Sequence, residues 1–391
     1  MSDQTIPGRD PLPVARLVYF IYYTGFGIYL PFINIYYRDI GLSGLEIGFI
    51  NTLAPLVGML SAPLWGILND RFGKTRVLLA IAVLGSILAG WGIAAAGTYI
   101  VLIPITAIFS LFYSTIQPML DSNTLLLLGD HRERYGSIRL WGSAGYVVLT
   151  LLGGYLLQRL GLAWLFPLFT ICMAALLISL LWYPVRRVDL GSSPRIFETL
   201  WAMLRQPRWL VFVIAIMLMW VAANGMHTFL GVYLAEMGAS QGLIGIAMAL
   251  GGATEIPTMY FGARLLKHFA PKKMIAIGMF SYMVRMFFYA IMPTPEWAPL
   301  IALLNSVTFG FFWIGSVAYV NELAPDEIKA TSQGLLLAIL NMASLISATF
   351  CGWLYDTTGP ANLFLILSAS SLAATAIFSI GTIAIRKKPV I

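Results

Sequence analysis

The chain has 391 residues, of which 59% are hydrophobic and only 10% are charged, and its mean hydropathy is +0.83. Soluble domains are about 45–50% apolar and about 25% charged, so the composition excludes an ordinary soluble protein. The net charge of +7 would by itself allow nucleic-acid binding, but the positions of the basic residues indicate membrane topology instead.

Apolar runs of about 20 residues recur along the whole chain, and each is long enough to cross a bilayer core of roughly 30 Å as a helix. A transmembrane barrel is excluded because its strands are short and alternate apolar with polar residues. We therefore predict an all-α membrane protein with twelve transmembrane helices. In chain order, the predicted helices span residues 14–36, 44–68, 76–96, 99–128, 137–159, 162–184, 208–235, 241–264, 272–292, 297–320, 331–355 and 361–385.

The basic residues are distributed unequally between the predicted loops. If the N-terminus is cytoplasmic, 20 of the 24 Lys and Arg residues lie in cytoplasmic segments, while Arg38 and Arg159 lie outside and Arg139 and Arg285 lie within helices. An excess of Lys and Arg in cytoplasmic loops is the positive-inside rule. The sequence thus predicts that both termini are cytoplasmic, and it predicts contact with a lipid bilayer and none with nucleic acid.

Two pairs of segments match between the halves of the chain at nearly one spacing. Gly66 and Gly262 open similar loops of glycine and basic residues 196 positions apart, and "GYLLQRLG" at 154–161 matches "GWLYDTTG" at 352–359 at an offset of 198. Internal repeats of this kind are typical of secondary transporters. The predicted domains are two pseudo-symmetric six-helix bundles and a cytoplasmic linker between them, at residues 1–184, 208–391 and 185–207.

The loop after predicted helix 2 carries a motif of a known superfamily. Gly66, Asp70, Arg71, Gly73 and Lys74 match Gly-x-x-x-Asp-Arg-x-Gly-Arg/Lys, the cytoplasmic loop signature of the major facilitator superfamily, which the chain resembles over its whole length. The resemblance implies the major facilitator fold. It also implies that these residues gate transport, by holding helix ends together in one conformation and releasing them in the other. An ordinary charged turn is the alternative.

Four charged residues lie well inside predicted helices, and none recurs at the equivalent position of the other half: Asp121, Arg139, Glu255 and Arg285. Intramembrane charges cost about 2.5–3.5 kcal/mol each, so they persist where they pair or face a water-filled cavity. Because residues equidistant from a hairpin turn lie at one level, Asp121 can meet Arg139, and Glu255 can meet Arg285 at greater depth. A functional role is favoured, and purely structural ion pairs are the alternative.

A closer resemblance rests on "YGSIRLWGSAGY" at 135–146, with an acid eighteen residues before its arginine, and on "ATEIP" and "YMVRMFFY" in predicted helices 8 and 9. These segments resemble the oligosaccharide and nucleoside proton symporters, of which lactose permease is the best-known member, and the phenylpropionate permease group. The resemblance implies that Asp121 and Arg139 bind substrate, Glu255 links substrate to proton binding, and Arg285 assists proton release. Predicted helix 10 lacks the buried proton-handling His and Glu of lactose permease, so the proton site stays open, with Asp121 as the second candidate carrier.

Aromatic and polar side chains in line with these charges extend the predicted cavity. Predicted helices 1 and 4 carry them at helical spacing, and predicted helix 7 contains the one histidine that lies inside a helix. Such surfaces can stack on a sugar or an aromatic ring, although membrane aromatics often only pack, and the histidine is equally explained by helix packing. The further candidate substrate-binding residues are Tyr22, Phe26, Tyr113, Gln117, Asn224 and His227.

These features predict a secondary active transporter in a bacterial plasma (inner) membrane, functional as a monomer, with no cofactor or metal and with the proton gradient as its energy source. Two acids and two arginines leave the cavity near neutral, which favours uptake of a sugar or nucleoside together with a proton. An aromatic carboxylate is the alternative if the arginines are free. A proton-coupled exporter is disfavoured because predicted helix 4 has no Arg and predicted helix 5 no Gly-Pro motif.

An enzyme and a solute receptor are the alternatives to a transporter from other classes of protein. The sequence has no metal-spaced His and Cys cluster, no Gly-x-Ser-x-Gly and no His-Glu-x-x-His motif, so we predict that the protein is not an enzyme. The alternative of a receptor, which has a transporter fold and binds solute without translocating it, is not excluded by the sequence.

Overall fold

The protein forms twelve helices that are long and apolar enough to cross a membrane within residues 12–129, 131, 134–185, 206–325 and 328–386, the part of the chain that the computed structural model describes. This confirms the predicted all-α membrane fold. Most of the predicted linker at 185–207 lies outside the described residues. The helices are α1 (Leu12–Asp39), α2 (Gly44–Phe72), α3 (Thr75–Ala95), α4 (Tyr99–Leu128), α5 (Tyr135–Leu160), α6 (Leu165–Ser179), α7 (Pro207–Glu236), α8 (Gln241–Tyr260), α9 (Pro271–Ile291), α10 (Pro295–Leu323), α11 (Lys329–Thr358) and α12 (Pro360–Arg386).

Three of these helices depart most from the predicted spans. The segment predicted at 162–184 is α-helical only over Leu165–Ser179, after a short 3-10 helix at Leu162–Trp164. The segment predicted as one helix at 241–264 ends at Tyr260, and a separate short helix, Gly262–His268, follows it. Helix α10 is not continuous, because a π-helical turn at Ser306–Phe311 separates its two α-helical parts. Hydropathy predicts that a segment is apolar but not where its backbone changes hydrogen-bonding register.

The bounds of α2 follow from local sequence. Ser43 accepts a hydrogen bond from the Glu46 N–H at 3.2 Å, and the Glu46 carboxylate accepts one from the Ser43 N–H at 2.8 Å, which is a capping box. At the other end Gly73 adopts a left-handed φ of 55° and donates to the Asn69 carbonyl at 2.7 Å, a conformation that glycine adopts without strain. Gly73 of the loop signature therefore ends α2, while the side chain of Asp70 lies outside the description.

The two halves of the chain share their turns, as the repeat predicts. Gly161 after α5 and Gly359 after α11 are 198 positions apart, with φ of 91° and 84°. Gly41 after α1 and Gly238 after α7 are 197 positions apart, with φ of 92° and 89°. Residues with a side chain rarely adopt these angles. The glycines therefore preserve the same chain reversal in each half.

We call one end of the bundle, which carries residues 73–74 and 261–270, the basic end. The other end is called the opposite end. At the opposite end α2 packs on α11, and α5 packs on α8, with backbones in contact. A Cβ on Gly48 would clash with the Ala348 carbonyl, and one on Gly154 would lie 3.0 Å from the Gly245 Cα. These two crossings are equivalent under the repeat, and both join the first half to the second.

Polar contacts also join the halves at the opposite end. The Asp356 carboxylate accepts hydrogen bonds from the Gly44 N–H at 2.7 Å and the Leu45 N–H at 2.8 Å, so an acid caps the positive end of α2. Arg38 forms an ion pair with Glu236 at 2.8 Å. Because both side chains are about one-third exposed, this pair contributes little by itself. Helix packing and the Asp356 cap therefore dominate the closure of this end.

The same two helices also carry glycines near the basic end. A Cβ on Gly66 of α2 or on Gly334 of α11 would meet no atom of the described residues within 4 Å, in contrast to the glycines of the opposite end. These two glycines therefore take no part in a tight helix crossing in this structure.

Candidate functional site

A cavity of about 240 Å³ lies between the two halves, bounded by α1 and α5 from the first and by α7, α8, α9 and α10 from the second. The lining residues of α5 and those of α8 each recur at helical spacing, so each helix presents successive turns to the same space. The polar and aromatic side chains in its wall are Tyr23, Phe26, Arg139, Ser143, Tyr146, His227, Glu255, Arg285 and Asn305.

Arg139 reaches the cavity from the second turn of α5 by stacking on an aromatic ring of α1. Its guanidinium carbon lies 4.0 Å from the centroid of the Tyr23 ring, close enough for a cation–π interaction. Gly142 lies one turn later, where a Cβ would be 2.6 Å from Tyr23 Cδ2 and 3.0 Å from Arg139 Nη1. The glycine in "RLWG" therefore leaves the space in which the arginine and the tyrosine stack.

Asp121 does not lie in the cavity wall. Its carboxylate accepts a hydrogen bond of 2.6 Å from the Tyr19 hydroxyl of α1. Within the described residues, no carboxylate lies within ion-pair distance of Arg139. The two residues that hairpin depth brings to one level are thus not paired in this structure, because each is held by a different tyrosine of α1.

Glu255 and Arg285 are joined through a third side chain. The Asn305 amide nitrogen donates to Glu255 Oε1 and, at 2.9 Å, to the Gly251 carbonyl, while the amide oxygen accepts a hydrogen bond from Arg285 Nη1. Asn305 and Arg285 are each only 3% exposed. The acid and the base that were predicted to meet are therefore bridged by a buried amide, and Asn305 is a site residue to which the sequence assigned no role.

The π-helical turn of α10 begins directly after Asn305. Such turns occur often at functional sites, because they shift the register of the side chains that follow. Thr308, in this turn, donates to the Asn305 carbonyl at 3.2 Å and lies 3.5 Å from Arg285 Nη1. Gly310, also in the turn, lies against Thr258 of α8 with no room for a side chain. The turn thus fits α10 closely against α8 and α9 at the level of the bridge.

The other candidate residues divide between the cavity wall and positions outside it. Phe26 and His227 lie in the wall, and His227 is exposed to the cavity from an otherwise buried stretch of α7. Tyr22 and Tyr113 face each other with ring centroids 6.0 Å apart, inside an aromatic cluster with Tyr29. Together with Asp121, the candidates that lie outside the wall are Tyr22, Tyr113, Gln117 and Asn224, and their role in binding stays a prediction.

Two further wall residues could have been found by spacing alone. Ser143 and Tyr146 lie four and seven positions after Arg139 on α5, the spacing of side chains on one helix face. Gly252 of α8 packs against the Tyr146 ring, which a Cβ would approach to 2.9 Å. The face of α5 that carries Arg139 therefore continues into the cavity as a hydroxyl and then an aromatic ring.

Twelve membrane-spanning helices and a central cavity between two bundles define a multi-pass membrane transporter of the major facilitator type. The family model described as "MFS_1 like family" matches residues 14–366. The chain therefore belongs to the MFS_1 like family of the major facilitator superfamily.

Relatives and solved structures agree with this assignment. Maltose permease of Geobacillus stearothermophilus is 28% identical, covering 86% of this chain and 85% of that protein. The probable 3-phenylpropionic acid transporter of Escherichia coli (strain K12) is 24% identical, covering 92% of this chain and 94% of that protein. The crystal structure of nucleoside transporter NupG has a TM-score of 0.82 at 16% identity, covering 96% of this chain and 99% of that chain. These similar proteins are transporters, not enzymes.

Proposed function

We propose that the protein is a proton-coupled symporter that takes up a small organic solute by alternating access. The observation that carries this proposal is the Glu255 carboxyl in the wall of the cavity between the halves, bridged by Asn305 to Arg285. Burial disfavours the charged form of a carboxyl, so Glu255 can take up a proton when the cavity faces one side and release it on the other. Arg285 then provides the positive charge that favours release.

Alternating access would use the two helix crossings at the opposite end. In the structure these crossings are tightly packed. In the alternate state the crossings would part and the basic end would close, bringing the loop signature of Gly66, Asp70, Arg71, Gly73 and Lys74 against the other half. We place the basic end in the cytoplasm of a bacterial cell and expect a monomer, because one chain contains both halves of the cavity.

The charge of the wall favours an anionic solute. With Asp121 outside the wall, the described residues of the cavity wall carry the guanidinium groups of Arg139 and Arg285 against the single carboxyl of Glu255. A carboxylate is the ligand that best matches a guanidinium, since two N–H groups can donate to its two oxygens. Tyr23, Phe26 and Tyr146 add aromatic surface beside Arg139. A small aromatic carboxylate therefore fits the wall well, and the printed name of one relative, a probable 3-phenylpropionic acid transporter, is in line with it.

A sugar or a nucleoside is the second candidate substrate. Hydroxyl groups can bind the same wall through Ser143, His227 and Asn305, and aromatic rings can stack on a sugar or a base. The names of maltose permease and of nucleoside transporter NupG are in line with this candidate. The two candidates differ in charge, which allows one experiment to separate them.

The test is uptake by right-side-out vesicles under an imposed inward proton gradient, with 3-phenylpropionate, maltose and uridine as separate probes. We expect accumulation of one probe above its external concentration, and we expect a protonophore to reduce it to equilibration. Accumulation of 3-phenylpropionate would assign the anionic class, and accumulation of maltose or uridine the neutral class. If the probe only equilibrated across the membrane, to the same extent with and without the proton gradient, symport would be excluded. Binding of a probe without any uptake would favour a receptor.

A further inference from the structure

Asn305 is a neutral residue that contacts the two charged residues that the second half contributes to the cavity wall, Glu255 and Arg285. We propose that Asn305 is a positioning residue through which the protonation state of Glu255 controls how freely Arg285 can turn toward solute in the cavity. This inference rests on the proposed proton-coupled function and adds to it the element that connects proton and solute. The three side chains lie on α8, α10 and α9, so the bridge also joins three helices.

The direction of the hydrogen bonds explains how the bridge transmits charge. Arg285 donates to the amide oxygen of Asn305, and the amide nitrogen donates to Glu255. With Glu255 ionised, each of the two hydrogen bonds joins a donor to an acceptor and the two ends of the bridge carry opposite charges, so both bonds are charge-assisted. A proton on Glu255 removes one of the two charges. This weakens the hydrogen bond between the Asn305 amide and Glu255 and, as a consequence, the hydrogen bond between the same amide and Arg285.

The remaining contacts of Arg285 are weaker than the one to Asn305. Thr308 Oγ1 lies 3.5 Å from Nη1 and the Tyr289 hydroxyl lies 3.4 Å from Nη2, both at the long limit for hydrogen bonds. The Arg285 Nε atom is buried without a partner. When the bridge weakens, the guanidinium has little else to hold it, so a solute carboxylate or hydroxyl can compete for it.

Other charged or titratable groups face the bridge from the surrounding helices. Arg139 and Tyr146 of α5 interact electrostatically with Glu255, His227 of α7 interacts with Arg285, and Tyr282 of α9 interacts with both Arg285 and Glu255. These groups set the local field at the two ends of the bridge. Asn305 differs from them because its amide contacts both ends at once.

A double-mutant cycle on the protonation of Glu255 tests this inference without any solute. The midpoint pH of the Glu255 carboxyl can be followed by infrared difference spectroscopy of the purified full-length protein, with Glu255→Gln identifying its band. We expect Arg285→Gln to raise this midpoint by about one unit or more, because a nearby cation favours the ionised acid. In the Asn305→Ala background, the same change should shift the midpoint by less than half as much.

Asn321→Ala is the matched control, since Asn321 lies on α10 but bonds to Gln333 at the basic end, and it should leave the full shift intact. Asn305→Ser provides a second background if the alanine variant does not fold, because a serine is too short to reach both partners. An equal shift in the Asn305 and Asn321 backgrounds would overturn the inference. Vesicle uptake reports separately on the proposed function, since coupled uptake can persist while the cycle shows no bridge.

Discussion

Glu255→Gln is expected to abolish accumulation of solute against its gradient while leaving exchange of solute across the membrane near the rate of the unaltered protein. Glutamine has the size of glutamic acid and is always neutral, so it resembles the protonated acid. The variant can therefore change between its two conformations with solute bound, but it has no proton to release. Gradient-driven uptake and counterflow, measured on the same vesicles, give the two rates.

The control for this variant is Glu296→Gln, because Glu296 is exposed in the turn Pro295–Trp297 at the opposite end of α10. It makes the same chemical change away from the cavity and should accumulate solute normally. Full accumulation by Glu255→Gln would remove Glu255 as the proton carrier. In that case Asp121, the other acid that lies well inside a predicted helix and away from a turn, would be the next residue to test in the same way.

Arg139→Lys is expected to weaken solute binding by about ten- to hundredfold, which corresponds to the loss of hydrogen bonds to a charged group. A lysine keeps the positive charge but lacks the planar fork that binds a carboxylate or paired hydroxyls with two N–H groups. It also loses most of the stacking on Tyr23 that holds the guanidinium carbon 4.0 Å from the ring centroid. Equilibrium binding to purified protein, with the probe that the vesicles accumulate, measures the effect.

Arg159→Lys is the matched control on the same helix. Arg159 also stacks on a tyrosine, with its guanidinium carbon 4.6 Å from the Tyr155 ring centroid, but it lies exposed at the opposite end of α5. Its substitution should leave solute affinity unchanged. If Arg139→Lys also bound solute with unchanged affinity, Arg139 would be a structural partner of Tyr23 and the solute would bind elsewhere in the cavity.

The helices could be predicted well because hydropathy and length decide whether a segment spans a bilayer. The fourth span, predicted at 99–128, is Tyr99–Leu128 in the structure, where a loop glycine follows. The π-helical turn in α10 could not be predicted, because it depends on how Gly310 fits against Thr258 of another helix. Local sequence therefore gives spans and turns, whereas the changes of register within a span come from tertiary packing.

The sequence predicted how deep the charged residues lie in the membrane, but not the direction in which their side chains point. Distance from a hairpin turn brings Asp121 and Arg139 to one level, but it does not say which way each side chain points around its helix. Tyr19 and Tyr23 of α1 decide that, by holding the acid and the base separately. The role of Asn305 escaped prediction for a related reason, since a neutral amide in an apolar helix becomes informative only when its two charged partners are known.

The glycines that shape the fold recur in both halves, whereas the charged residues of the site do not. Glycines at equivalent positions form the same turns and the same tight crossings in both halves. The bridge of Glu255, Asn305 and Arg285 lies entirely in the second half, and Arg139 in the first. One half thus presents a solute-binding arginine and the other a proton-binding acid, and the cavity brings them to the same space.

Proton movement driven by solute tests the central claim most directly. Solute is added to lightly buffered, de-energised right-side-out vesicles, and the external pH is recorded. We predict that the unaltered protein raises the external pH as solute and protons enter together, and that Glu255→Gln gives no pH change. Entry of solute through the unaltered protein without any change of external pH would contradict proton-coupled symport.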